Sequence, residues 1–179
     1  MAPHVPRTGM GVTMKPIRLL LAALAVVGLT ACYTSDTPLI SDDDAATPFA
    51  KITFKGSGAD DKPAAFTRDG KVYVTAGEDG EKVFLRLKPV EGDYYVAQMT
   101  GTDKASGEAQ ILYAYLRIDV AAKTAETYRS YGTKDDVRPG LRACKDVVCI
   151  DDLNAYIAYA KEAIAANAKP DTTFSIVVE

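Results

Sequence analysis

From Phe49 to Glu179 apolar and polar residues alternate in short runs parted by turn residues, the period-two signature of strands with one buried face. KITFK, Lys51 to Lys55, is the first such run. FTRDGKVYV (Phe66 to Val74) and EDGEKVFLRLK (Glu78 to Lys88) each carry Asp-Gly, a pair that tolerates the backbone of a tight hairpin turn. Pro89 to Asp93 turns the chain into YYVAQM (Tyr94 to Met99), and a polar loop from Thr100 to Glu108 leads to the longest run, ILYAYLRIDV, Ile111 to Val120. A turn at Ala121 to Lys123 precedes AETYRSY, Ala125 to Tyr131. One segment changes period. After Asp151 or Asp152, either of which can cap a helix, Leu153, Ile157, Ala160 and Ile164 fall on one helical face, and Pro170 closes the element. TFSIVV, Thr173 to Val178, returns as a last strand. The expected fold is α+β and mainly β: an antiparallel meander sheet, one late helix packed on a face, and a closing C-terminal strand.

The N-terminal pattern is different. Leu19 to Ala31 is an unbroken stretch of apolar or small residues, shorter than the ~20 needed to span a bilayer, and Lys15 and Arg18 lie just ahead of it. That is the layout of a signal peptide, with Met14 as a second candidate start and residues 1–13 as an upstream extension. Leu29-Thr30-Ala31-Cys32 at its end resembles the lipobox of bacterial lipoproteins. The resemblance covers residues 14–32 and implies that Cys32 is acylated, becomes the first mature residue and holds the protein to membrane lipid. Tyr33 rather than Asp after the cysteine is similar to lipoproteins delivered to the outer membrane, lipid-anchored and facing the periplasm, with the inner membrane or cell surface as alternatives. Residues 32–48, with Asp42-Asp43-Asp44 and two prolines, read as a lipidated tether, leaving 49–179 as a single β-rich domain.

Charge and composition then narrow the chemistry. Removing residues 1–31 takes Arg7, Lys15 and Arg18 from the 21 basic residues, so 18 face 24 acidic ones and the mature formal charge is −6. Such a balance disfavours nucleic acid as a partner. The single histidine, His4, lies in the removed segment. A mature chain without imidazole cannot assemble a Ser-His-Asp or Cys-His site and lacks the commonest transition-metal ligand. No cofactor or metal is expected, and no catalytic residue is assigned. Glu78, Asp79, Glu81, Glu91 and Asp93 stand in apparent turns, where carboxylates are ordinarily solvated, so a carboxylate hydrolase is kept only as an alternative.

Cys144 and Cys149 in CKDVVC meet an oxidising compartment if the chain is exported, and their spacing suits a local disulfide at the helix entry. The run ILYAYLRIDV has two unlike faces. Leu112, Ala114, Leu116, Ile118 and Val120 are continuously apolar and expected in the core; Tyr113, Tyr115 and Arg117 combine aromatic bodies with polar tips. Tyrosine and arginine are enriched at recognition hot spots, which makes these three a candidate partner-binding surface. The competing reading places them under the helix or over the second face of the sheet with their hydroxyls satisfied locally. The expected function is a membrane-anchored, non-catalytic binding or inhibitory module for an envelope protein or a small ligand, with a structural accessory of the envelope as the alternative.

Overall fold

A computed structural model describes residues 33–58, 61–76, 80–102, 107, 109–145 and 147–179. The elements are β1 (Tyr33–Thr34), β2 (Lys51–Lys55), β3 (Ala64–Asp69), β4 (Val72–Ala76), β5 (Lys82–Glu91), β6 (Tyr94–Thr102), β7 (Ala109–Asp119), β8 (Thr124–Tyr128), β9 (Leu141–Cys144), β10 (Val147–Ile150), α1 (Leu153–Ala165) and β11 (Thr172–Val178). Strands β2 to β8 pair antiparallel in sequence order, so the meander holds. Gly70, at φ 61°, supplies the left-handed turn between β3 and β4 that Asp-Gly had marked.

What the periodicity did not indicate is closure. Strand β11 inserts between the two free edges, with Phe174 opposite Ala125 of β8 and Ser175 opposite Lys55 of β2. The sheet thereby becomes an eight-stranded antiparallel barrel of β2 to β8 and β11. Closure leaves these strands without an exposed edge row of unpaired backbone groups.

Ile52 and Phe54, Ala64 and Phe66, Tyr73, Leu85 and Leu87, Leu116 and Ile118, Ala125, Phe174 and Ile176 form one buried cluster inside the barrel, with Tyr95 and Ala97 of β6 packed against it. Lys51, Thr53 and Lys55 take the outward positions on β2. On β2 this is the reverse of a membrane-spanning strand, which is apolar outside and polar within. Among the described residues no helix is long and apolar enough to cross a membrane.

A second buried layer lies outside the barrel wall. Helix α1, β1, the β9–β10 hairpin and the chain around Ile40 cover the outer faces of β6, β7 and β8 with Tyr33, Ile40, Leu141, Val148, Ile150, Tyr156, Tyr159 and Ala160. The helix begins at Asp152, whose carboxylate accepts the Asn154 N–H at 2.9 Å. It ends ahead of Pro170. Asn167 adopts φ 60°, and its N–H and that of Ala168 take up carbonyls of Ile164 and Ala163. The inward face is turned from the expected one: Tyr156, Tyr159, Ala160 and Ala163 are buried, while Leu153, Ile157 and Ile164 pack at its flanks. Tyrosine bodies rather than branched aliphatics fill the gap to the barrel.

The segment expected to be a tether is packed instead. Tyr33 and Thr34 pair antiparallel with Tyr113 and Leu112 of β7 and parallel with Val148 and Cys149 of β10. Tyr33, Ile40 and Ala45 are 0, 1 and 4 % exposed, so three apolar anchors recur along a chain that composition had marked as solvated. Two of the acids between them pair with cations on the barrel, Asp42 with Arg86 at 3.0 Å and Asp44 with Lys88 at 2.5 Å, and Asp36 pairs with Arg142 of β9 at 2.6 Å. The folded unit therefore includes residues from Tyr33 onward.

Strands β9 and β10 form a hairpin in which Cys144 and Cys149 are joined by a disulfide, their Cα atoms 5.7 Å apart. So small a ring constrains the unfolded chain by about 2 kcal/mol. Cys144→Ser with Cys149→Ser is expected to lower stability by about that amount and leave the barrel folded. Denaturant titration of oxidised and doubly substituted protein measures it; unchanged midpoints would show that the bond contributes nothing.

Candidate functional site

The barrel interior is filled at one end and open at the other. Ile52, Tyr73, Leu87, Ile118 and Ile176 close the lower half. Tyr73 locks the floor, its hydroxyl accepting the Phe49 N–H at 3.0 Å and donating to the Phe49 carbonyl at 3.1 Å.

Above this floor lies a cavity of about 350 Å³. Phe54, Phe66, Leu85, Met99, Leu116 and Phe174 supply its large apolar walls. The space exists because alanines replace bulky residues at inward positions. Ala97 on β6 stands directly opposite Ala114 on β7, and Ala64 of β3 also lines the void. Around the mouth are Ser57 and Asp61 from the β2–β3 connection, Thr127, Ser130 and Tyr131 from β8 and the residues after it, and Thr172 from β11. Asp61 is the one charged side chain among the described lining residues.

An apolar void lined by Leu and Phe has no means of holding ordered water, since water requires two to four polar partners. A cavity of about 150 Å³ already accepts a benzene-sized solute, and this one is more than twice that. The arrangement suits a small apolar molecule with its polar end at the mouth.

Of the candidate residues taken from the sequence, Tyr113 borders the cavity, but its side chain, like that of Tyr115, belongs to the outer layer. Tyr113 and Tyr115 point outward from β7, beneath the second layer, and are 2 and 1 % exposed. They are therefore not a partner surface in this structure, because α1 and the chain from Tyr33 to Ala45 cover that face of the wall. The Tyr113 hydroxyl donates to Gln98 Oε1 at 3.0 Å, accepts the Leu39 N–H at 3.0 Å, and lies 2.9 Å from Ser35 Oγ. Gln98 Oε1 also accepts the N–H groups of Leu39 and Ile40, both at 2.9 Å. Tyr115 stacks on Tyr94 with centroids 5.6 Å apart. Burial, and after it the charge of Glu91, pushes its hydroxyl up to about 12. Arg117, at the layer's edge, is 38 % exposed and lies between Asp119 at 3.4 Å and Glu126 at 3.6 Å.

On the apolar face of β7, Leu116 and Ile118 are buried in the barrel, Leu112 and Ala114 line its cavity, and Val120 is exposed in the following turn. Cys32 lies outside the described residues. Cys144 and Cys149 sit in the hairpin of the outer layer, away from the cavity lining. Of the turn carboxylates, Glu78 and Asp79 lie outside the described residues; Glu91 pairs with Lys161 at 2.7 Å.

One polar cluster occupies the outer layer. Asp136, 7 % exposed, accepts the Tyr159 hydroxyl, and its other oxygen accepts the Thr133 N–H at 2.6 Å and hydroxyl at 3.0 Å. The Tyr159 ring lies near both Arg129, at 4.5 Å, and Arg138, at 3.7 Å. Burial opposes ionisation of Asp136, but these hydrogen bonds and the Arg129 charge outweigh it and hold the carboxyl below its usual range. A depressed native value stabilises the fold above the unfolded-state value near 4 and forfeits that stability as pH falls through the native one. Unfolding free energy is expected to decline on acidification below about pH 4. Asp136→Asn should flatten that decline in denaturant titrations across pH; an identical profile would assign the acid sensitivity to other carboxylates.

Among the described residues no group of three or more His, Cys, Asp or Glu side chains is placed to hold a metal ion. No family model, no curated protein and no solved structure matches the chain.

Proposed function

We propose that this protein is a membrane-anchored binding module that carries one small apolar ligand inside its barrel. The observation that supports the reading is the apolar cavity of about 350 Å³ above a closed floor, with polar groups confined to its mouth. Burial of an apolar solute there gains roughly 25 cal/mol per Å² removed from water. The preformed barrel needs little ordering to accept it. The lining hydroxyl of Ser130 donates to the Asp171 carboxylate at 3.0 Å, but no histidine or lysine stands among the described lining residues as a base, so binding rather than turnover fits the cavity's chemistry.

Titration with a neutral naphthylamine probe, which brightens in apolar surroundings, tests the reading. Saturable emission at one probe per chain supports it. Emission that rises without saturating, or not at all, overturns it.

Membrane attachment rests on Leu29-Thr30-Ala31-Cys32 behind its apolar run. Two or more acyl chains anchor firmly where one does so only marginally. Cys32→Ser is expected to move the protein from the membrane to the soluble fraction, and the native mature mass should exceed that of the chain from Cys32 by its acyl groups. A mature mass without lipid would remove the anchor from the proposal. Because Tyr33, next to the acylated residue, is already paired in the fold, the barrel would ride close to the bilayer, near a source of apolar ligands.

A further inference from the structure

The mouth of the cavity is chemically one-sided. Its described lining contains hydroxyls of Ser57, Thr127, Ser130, Tyr131 and Thr172, the carboxylate of Asp61, and no lysine, arginine or histidine. Asp61 is held in place by its own loop: Oδ2 accepts the Gly58 N–H at 2.8 Å, and its backbone N–H donates to the Gly58 carbonyl at 3.2 Å. The carboxylate lies against bare backbone. A Cβ at Gly56 would collide with Oδ2, and one at Gly58 would stand 2.8 Å from it, so glycine at both positions permits this placement.

From this geometry we infer that the ligand's head is a hydrogen-bond donor, a hydroxyl or an ammonium, and that Asp61 selects it against a carboxylate. The inference rests on reading the cavity as an apolar ligand site. An ionised carboxylate only accepts hydrogen bonds, as does the ionised Asp61 side chain. An alkanoate seated with its tail in the barrel would bring two like charges together at a partly desolvated mouth with no cation among the described lining residues to separate them. An alkanol or alkylamine donates to Asp61 instead. The amine adds a charge-assisted bond, which is stronger than a neutral one. The chain's formal charge of −3 biases the surroundings the same way.

Displacement of the neutral probe by an alkylamine, an alkanol and an alkanoate of one chain length tests this. The amine is expected to compete at least about tenfold better than the alkanoate, with the alkanol between them. Asp61→Asn should weaken the amine by about tenfold while leaving the alkanol within about threefold, because the substitution keeps an acceptor and removes the charge. An alkanoate that competes as well as the amine, or an amine affinity indifferent to Asp61→Asn, overturns the head-group inference and leaves the apolar site standing. Failure of all three to displace a saturably bound probe overturns it as well, whereas absence of saturable probe binding overturns the site itself.

Discussion

Replacing Tyr113 and Tyr115 together by serine is expected to unfold the protein or lower its melting temperature severely, the largest stability effect among simple substitutions of the outer layer. Both rings are buried between the barrel wall and its cover. Truncating a buried aromatic side chain costs about 3 to 5 kcal/mol, and whole domains are stable by about 5 to 15. The Tyr113 hydroxyl adds a directional element. It binds Gln98, whose Oε1 receives two backbone N–H groups of the N-terminal segment, so losing it disturbs how Leu39 and Ile40 lie on β6. The two losses will not sum independently, because both residues lie beneath one cover. Leu116→Ala, inside the barrel, provides the comparison at about 2 to 5 kcal/mol. Denaturant unfolding of the three variants decides the matter. A double variant within about 1 kcal/mol of the parent would mean that the outer layer contributes little.

The largest effect on binding is expected from Ala97→Phe. Ala97 faces the cavity directly across from Ala114, so a benzyl group there takes the volume that the ligand requires. Overpacking a filled core costs about 1 to 3 kcal/mol, but this ring enters empty space and should cost less than that. Probe affinity should fall by about a hundredfold, or ~2.7 kcal/mol, with melting near that of the parent. A stable Ala97→Phe variant that still binds the probe normally would place the probe outside the barrel.

How much of this could be read beforehand depended on the distance over which each signal acts. Local signals sufficed for the staves. Asp69-Gly70 marked a hairpin, alternation in KITFK gave β2 with its observed bounds, and Asp152 capped α1. Closure is different in kind. It depends on Ser175 meeting Lys55, a pairing between two ordinary-looking strands that no local pattern specifies. The N-terminal segment misled for a related reason. Its four aspartates and two prolines outweighed Tyr33, Ile40 and Ala45, whose hydrophobic partners lie in distant strands, α1 and the β9–β10 hairpin. The cavity left one faint trace, alanines at inward positions of YYVAQM and ILYAYLRIDV. Alanine is common enough in strands that only knowledge of the register, Ala97 opposite Ala114, turns two small residues into a void. Tyr113 and Tyr115 were legible as an aromatic face, but whether such a face meets a partner or the chain's own helix depends on tertiary placement.

The position of β11 also determines when the barrel can form during folding. Its register couples Ser175 to Lys55 across nearly the whole described chain and Phe174 to Ala125 across β9, β10 and α1, whereas the seams from β2 to β8 join neighbours in sequence. Local hairpins can form within microseconds, but a seam of that separation must await a costly loop closure. Until then Phe174 and Ile176 are missing from the interior, and the two edges they will join are open to pairing with other chains. Until β11 docks, the β2–β8 meander is expected to be a gutter with its apolar lining open, and the final stave converts that vulnerable trough into a container.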